Sequence, residues 1–171
     1  MPHHEAKGIT AMKEEYRLTF RLGEEKDYPA VLDIQRRAYQ LKEVPLYGDN
    51  LPPLGETPDS IREELAKGKQ LLVAEHDGVV VGSMRFAMQE DGTVYWGRLS
   101  VDPDLQGRGI GQRLVAAVEE MHPEASGFVL DCGEKSAENF HIYSKMGYVK
   151  TGEGFQVPGG PYVLVMRKGR A

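Results

Sequence analysis

Between Val94 and Met121 the chain reads as a strand, a glycine-rich turn and a helix. An alternating run, Val94 to Val101, leads into Gln106-Gly107-Arg108-Gly109-Ile110-Gly111, and a helical run from Gln112 to Met121 leads out of it. The helix has to lay its apolar face, Ile110, Leu114, Val115, Val118 and Met121, on the sheet that holds the strand. That puts the turn at a helix N-terminus, where free N–H groups and the helix dipole favour an anion. Each glycine in a first helical turn costs about 0.5–1 kcal/mol relative to alanine. Three alternating glycines therefore point to the close approach of a ligand, and Arg108 can add a charge-assisted contact. Two other phosphate motifs do not fit. The dinucleotide fingerprint needs Gly-x-Gly-x-x-Gly, whereas the spacing here is Gly107-x-Gly109-x-Gly111, and the P-loop's Gly-Lys-Ser/Thr is absent.

The chain before this unit supplies more of the same sheet. Tyr16, Leu18, Phe20 and Leu22 alternate with polar residues, which predicts a half-buried strand. Helical spacing of Tyr28, Val31, Leu32, Ala38, Tyr39 and Leu41 predicts a helix over about Lys26 to Leu41. Lys42 to Pro58 carries four prolines and two glycines and reads as a long loop, with a short helix over Asp59 to Lys67 capped by Thr57 or Asp59. Leu71 to Glu75, Val79 to Gln89 and Thr93 to Val101 form three strands joined by Asp77-Gly78 and Asp91-Gly92, both hairpin signals. After Pro123 come a brief strand at Phe128 to Leu130, a helix over Ser136 to Met146, a strand beginning at Tyr148 to Thr151, a glycine- and proline-rich stretch from Gly152 to Pro161, and a last strand at Tyr162 to Met166.

Composition narrows the function classes. The 171 residues suit one domain, with residues 1–13 a loose tail and 14–171 a single folded unit. His3 and His4 sit in that tail, where a mobile segment is a better reading than a metal chelate. A net charge of −5 argues against nonspecific nucleic-acid binding. No apolar run approaches membrane-spanning length, and Met1 to Lys13 has no apolar signal core. The single cysteine, Cys132, excludes an internal disulfide and a multi-cysteine metal site, so a reducing, cytoplasmic setting with no metal is expected. Cys132 itself reads as a buried structural thiol, since nothing nearby would activate it as a nucleophile.

Three segments together, Leu99-Ser100-Val101-Asp102-Pro103, Gln106 to Gln112, and Asn139-Phe140-His141-Ile142-Tyr143 with Met146-Gly147-Tyr148, resemble the GCN5-related N-acetyltransferase (GNAT) superfamily over about Tyr16 to Arg167. The resemblance implies an α+β fold of the acyl-CoA N-acyltransferase type: a mixed, mostly antiparallel sheet of six to seven strands flanked by helices. It implies acetyl-CoA as co-substrate. Leu99, Ser100 and Val101 would pair with the pantetheine arm like an added strand. The amides of Gln106, Gly107, Arg108, Gly109, Ile110, Gly111 and Gln112 would hold the pyrophosphate, and Asn139 would hydrogen-bond the arm. Tyr143 stands at the superfamily's usual general-acid position. A phenol, with an ordinary pKa near 10, is protonated at neutral pH and suits a departing thiolate.

Many relatives carry a glutamate on the strand before the glycine turn, and Thr93 to Ser100 has no carboxylate. Glu75, Asp131, His141 and a water relay are the candidate bases. Of Tyr95 and Trp96, which alternate faces, one belongs to the core and the other can line an acceptor pocket. The expected activity is transfer of acetyl to a primary amine in a ternary complex. The alternative is a CoA-binding sensor of the same fold. Lys42 to Pro58 and Gln156 to Tyr162 are the segments expected to select the acceptor, and a homodimer is an expectation carried by the superfamily alone.

Overall fold

The computed structural model describes residues 16–170; the expected tail and its two histidines lie outside them. Seven strands form one sheet: β1 (Thr19–Leu22), β2 (Gln70–His76), β3 (Val79–Met88), β4 (Thr93–Val101), β5 (Gly127–Gly133), β6 (Val149–Gln156) and β7 (Tyr162–Gly169), in the order β1-β2-β3-β4-β5-β7-β6. Every pairing is antiparallel except β4 with β5. Five helices flank it: α1 (Tyr28–Lys42), α2 (Val44–Tyr47), α3 (Pro58–Ala66), α4 (Ile110–Met121) and α5 (Ala137–Lys145). The β2–β3 hairpin closes as its sequence predicts. Asp77 and Gly78 take φ of 50° and 79°, the left-handed values that a two-residue turn needs to match strand twist.

Alternation in the strands splits the core in two. Leu72, Met84, Phe86, Val94, Trp96 and Leu130 face α4 and its Ile110, Leu114, Val115 and Val118. Leu71 and Val73, one residue out of phase with Leu72, face α1 and α3 through Val31, Leu32 and Ile61. Burial has been arranged for the polar groups that enter the first layer: the Trp96 indole N–H donates to the Tyr148 hydroxyl (2.9 Å), which donates to Glu119 (2.8 Å).

Two segments differ from expectation. Lys42 to Pro58 is not plain loop, because it holds α2 and a 3₁₀ turn at Pro52–Gly55. Its prolines sit in the opening turns of these elements, where a fixed φ helps and the missing N–H costs nothing. β6 continues into the glycine-rich stretch, absorbing Gly152 (φ 88°) in a register shift between Lys150 and Gly154.

The pairing of β4 with β5 sets up the functional site. It holds only at Thr93–Gly127, Val94–Phe128 and Tyr95–Val129. Beyond that point β4 stays with β3 as far as Val101, and β5 stays with β7 as far as Gly133. The sheet is therefore split from one end.

Candidate active site

A cleft of about 690 Å³ opens at the split. Every residue expected to hold the cofactor lines it: Leu99, Ser100 and Val101 on β4, Gln106 to Gln112 at the start of α4, and Asn139 and Tyr143 on α5. The past-the-split edge of β4 faces it, so the strand has backbone groups to offer an extended ligand.

The glycine turn is built differently from the sequence expectation. Gly107 and Gly109 precede the helix, at φ 79° and 71°, and only Gly111 lies in its first turn. A Cβ at 107 or 109 would meet no protein atom within 4 Å, so these two keep the left-handed backbone and leave open space in front of it. At Gly111 a Cβ would sit 3.6 Å from Leu99 and Val101, facing the strand rather than the cleft. Gly111 therefore concerns the packing of α4 on β4. The first intrahelical bond runs from the Arg113 N–H to the Gly109 carbonyl (3.0 Å), which leaves the N–H groups of Ile110, Gly111 and Gln112 without a partner inside the helix. Arg108 lies over the Tyr16 ring at 4.9 Å. Upstream, Asp102 accepts from the Asp104 N–H (3.0 Å) and from Arg37 on α1 (3.1 Å), fixing the approach to the turn.

β4 carries a bulge where the cleft begins. Ser83 pairs with Ser100, but Arg85 pairs with Gly97, so β4 has one residue more than β3. Arg98 sits in it with φ 52°. Before the bulge Val94 and Trp96 face α4; after it Leu99 and Val101 do. Arg98 is turned to the α1 side, 3.3 Å from Glu56.

On the opposite wall, Tyr143 packs edge-on to Trp96 with ring centroids 5.3 Å apart. Burial, with smaller contributions from Cys132, Tyr39 and Glu43, holds its phenol well above the usual range, so it is protonated at any working pH. Cys132 is buried, and burial pushes its thiol up to about 12, in line with a structural role. Trp96 is core and Tyr95 faces the other way, its hydroxyl 2.5 Å from Asp131.

The candidate bases separate. Glu75 is ion-paired to Arg21 (3.1 Å) on the β1–β2 side, and His141 is exposed and away from the cleft wall. Asp131 lines the cleft. A third carboxyl, Glu43, was not among the sequence candidates. It caps the C-terminal end of α1, accepts from Ser136 (3.2 Å) and lies 3.4 Å from the Asn139 amide. Burial raises its pKa above the carboxylate norm, against the lowering effect of Ser136, Asn139 and nearby Lys42. Lys42 is itself paired with Glu138 (3.1 Å) across the cleft mouth. Tyr47 ties α2 to the same place, bonding Ser136 (2.7 Å) and accepting from the Lys135 N–H (2.9 Å). The two segments expected to select the acceptor come close here: a Cβ at Gly160 would sit 3.2 Å from Pro52, and Leu51, Pro53, Val157 and Pro161 line the cleft.

A mixed sheet split at its one parallel pair, with an N-terminal helix cradle at the split, is the acyl-CoA N-acyltransferase fold. Residues 67–150 match the family model of an acetyltransferase (GNAT) domain, which identifies a GNAT acetyltransferase domain in this chain. Among solved structures it is similar to a ribosomal-protein-alanine N-acetyltransferase from Brucella melitensis (21% identity, TM-score 0.70, covering 89% of this chain and 99% of that one). It is also similar to PaiA N-acetyltransferase from Thermoplasma acidophilum in complex with coenzyme A (15%, 0.69, 90% and 99%), and to an IAA acetyltransferase from Bacillus cereus (15%, 0.64, 90% and 100%). At these identities the likeness is one of fold. No curated protein matches the chain by sequence. Among the described residues no helix is long and apolar enough to cross a membrane, and no group of three or more His, Cys, Asp and Glu side chains is placed to hold a metal ion.

Proposed function

We propose that the chain transfers acetyl from acetyl-CoA to a primary amine by direct attack with both substrates bound. The observation that carries this is the cleft itself, which gathers the glycine cradle, the free edge of β4, Asn139 and Tyr143 into one continuous surface. The residues fit the cofactor: Gly107 and Gly109 leave open space before the unpartnered N–H groups of α4, which suits a pyrophosphate, and the split supplies an edge for an extended arm. Acetyl-CoA supplies the activated acyl group; the chain supplies binding, orientation and two proton positions. Glu43 takes the proton that the acceptor's ammonium must lose before its nitrogen can attack. Tyr143 gives its proton to the sulfur as the carbon–sulfur bond breaks, and the proton that the attacking nitrogen sheds as the carbon–nitrogen bond forms restores the phenol.

CoA release with a panel of amines tests the reaction. Tight acetyl-CoA binding with no release on any amine would favour a sensor instead. Gly109→Val probes the cradle. Its backbone strain costs about 1–2 kcal/mol, so a folded variant is expected, with acetyl-CoA affinity down at least about tenfold by titration calorimetry. An unchanged affinity would reduce the glycines to chain geometry.

Glu43→Gln should lower kcat about 100-fold at neutral pH. The sign of its pH dependence follows from the raised pKa: Glu43 stays protonated, and so unable to accept, until the pH passes that raised value. The wild-type acid limb of kcat/KM should therefore lie above the ordinary carboxylate range and be lost in Glu43→Gln. The deficit should shrink as alkaline pH deprotonates the amine directly. An acid limb unmoved by the substitution would assign the base elsewhere, with Asp131 next.

A further inference from the structure

We infer that the acceptor carries a carboxylate beside its amine, and that Arg98 anchors that carboxylate; this rests on the acetyltransferase reading above. The backbone is the first sign. A non-glycine residue at φ 52° within a strand is disfavoured, and such strain persists where the surroundings enforce it, often at ligand sites. Here the bulge turns the residue: without the extra position, strand alternation would send Arg98 toward α4 and its apolar core. Gly97 beside it adds no side chain to the same face.

The charge count is the second. Arg98 approaches Glu56, but that carboxylate is already committed. Arg85 grips it with two parallel bonds of 2.8 Å, and Gln35 donates to it at 2.7 Å. Arg85 also takes Glu64 (2.6 Å), which Lys69 shares (2.9 Å). Three cations thus meet two carboxylates in this network. The Arg98 Nε is buried and makes no hydrogen bond, its contact with Glu56 being off the bonding direction. The side chain is 31% exposed and lines the cleft. A cation so placed, with part of its fork open to the cavity, suits a planar oxyanion.

Opposite it stand carboxyls. Asp131 on β5 and Glu43 at the end of α1 line the far side of the split. Tyr39 lines the cleft too; burial raises its pKa, Arg98 lowers it by charge and hydrogen bonding, and Glu43 raises it. Such a dipolar pocket matches a zwitterion: ammonium toward Glu43 and the acyl group, carboxylate toward Arg98. A polyamine would bring a second cation against Arg98. The apolar outer wall, Leu51, Pro53, Val157 and Pro161, suits an apolar side chain on the same molecule. The ligand class is therefore an α-amino acid with an apolar side chain.

Acceptor pairs that differ only in the carboxylate test this: L-leucine against isopentylamine, and L-phenylalanine against phenethylamine, by CoA release, with acetyl-CoA affinity measured alongside. The amino acid should be favoured at least about tenfold in kcat/KM. Arg98→Gln should raise its KM about 10- to 100-fold and leave the decarboxylated amine within about twofold. Arg98→Lys should restore part of the preference. Equal or inverted preference in the wild type overturns the inference, as does Arg98→Gln slowing both members alike, the mark of a structural arginine. If acetyl-CoA binds but neither member reacts, the affinities of N-acetyl-L-leucine and N-acetylisopentylamine for the CoA-loaded protein give the same comparison, and equal affinities overturn it. Failure to bind acetyl-CoA would sink the transferase reading instead.

Discussion

Tyr143→Phe should lower kcat about 100-fold or more while leaving acetyl-CoA affinity within about twofold. The ring keeps its place against Trp96, so packing is preserved and only the hydroxyl is lost. A phenol raised this far is a weak acid in water. Cys132, a buried sulfur lining the same cleft, has its thiol pushed up to about 12 by burial. A departing thiolate desolvated in the same way would be a stronger base than in solvent, which would bring the proton transfer closer to balance. Pre-steady-state kinetics identify whether chemistry limits turnover. Unchanged kcat under that condition would remove Tyr143 from the reaction.

Glu56→Ala should destabilise the fold by about 3–5 kcal/mol, because it strips a buried guanidinium of its main partner. Arg85 is only 2% exposed, and Glu56 is the group that meets both of its terminal nitrogens. For a chain of this size the loss corresponds to a drop in Tm of about 6–20 °C. Replacing both partners with apolar residues of similar volume should cost much less. Acid sensitivity gives a second readout. Burial alone would raise the Glu56 pKa, yet the Arg85 hydrogen bonds and charge outweigh it and hold it low. A depressed carboxyl contributes stability that is fully present above its unfolded value, about 4.3, and is lost as pH falls through the folded value. Wild-type stability should fall over that acidic range by more than that of Glu56→Ala. Matching acid profiles would show that Glu64 carries Arg85 instead.

Much of this was legible because it is periodic or local. The Asp-Gly hairpins, the apolar stripe of α4 and the glycine turn each declare themselves within about a dozen residues, and all the residues expected around the cofactor share one cleft. Glu43 did not declare itself. Its meaning comes from Ser136, 93 positions away, and from burial that the proline-rich stretch after it does not suggest. The bulge at Arg98 left a fainter trace. The core-facing residues of β4 run Val94 and Trp96, then Leu99 and Val101, a change from even to odd positions that marks one inserted residue. The stretch between Lys42 and Pro58 departs from a plain loop for a related reason: its prolines punctuate short helices rather than abolish them.

The split sheet has a mechanical consequence. Strands β1 to β4 and strands β5 to β7 are laced together at three residue pairs only, all at one end, so past Tyr95 and Val129 the two half-sheets behave as leaves on a short seam. A ligand strand laid between them would act as a second seam. In that case amides of Gly97 to Val101 and of Leu130 to Gly133 should exchange with solvent markedly more slowly in the loaded protein than in the free one. The gain in melting temperature should track ligand concentration, as expected when a ligand binds only the folded chain. Substrate would then serve as part of the scaffold that orients it, closing the book in which the reaction takes place.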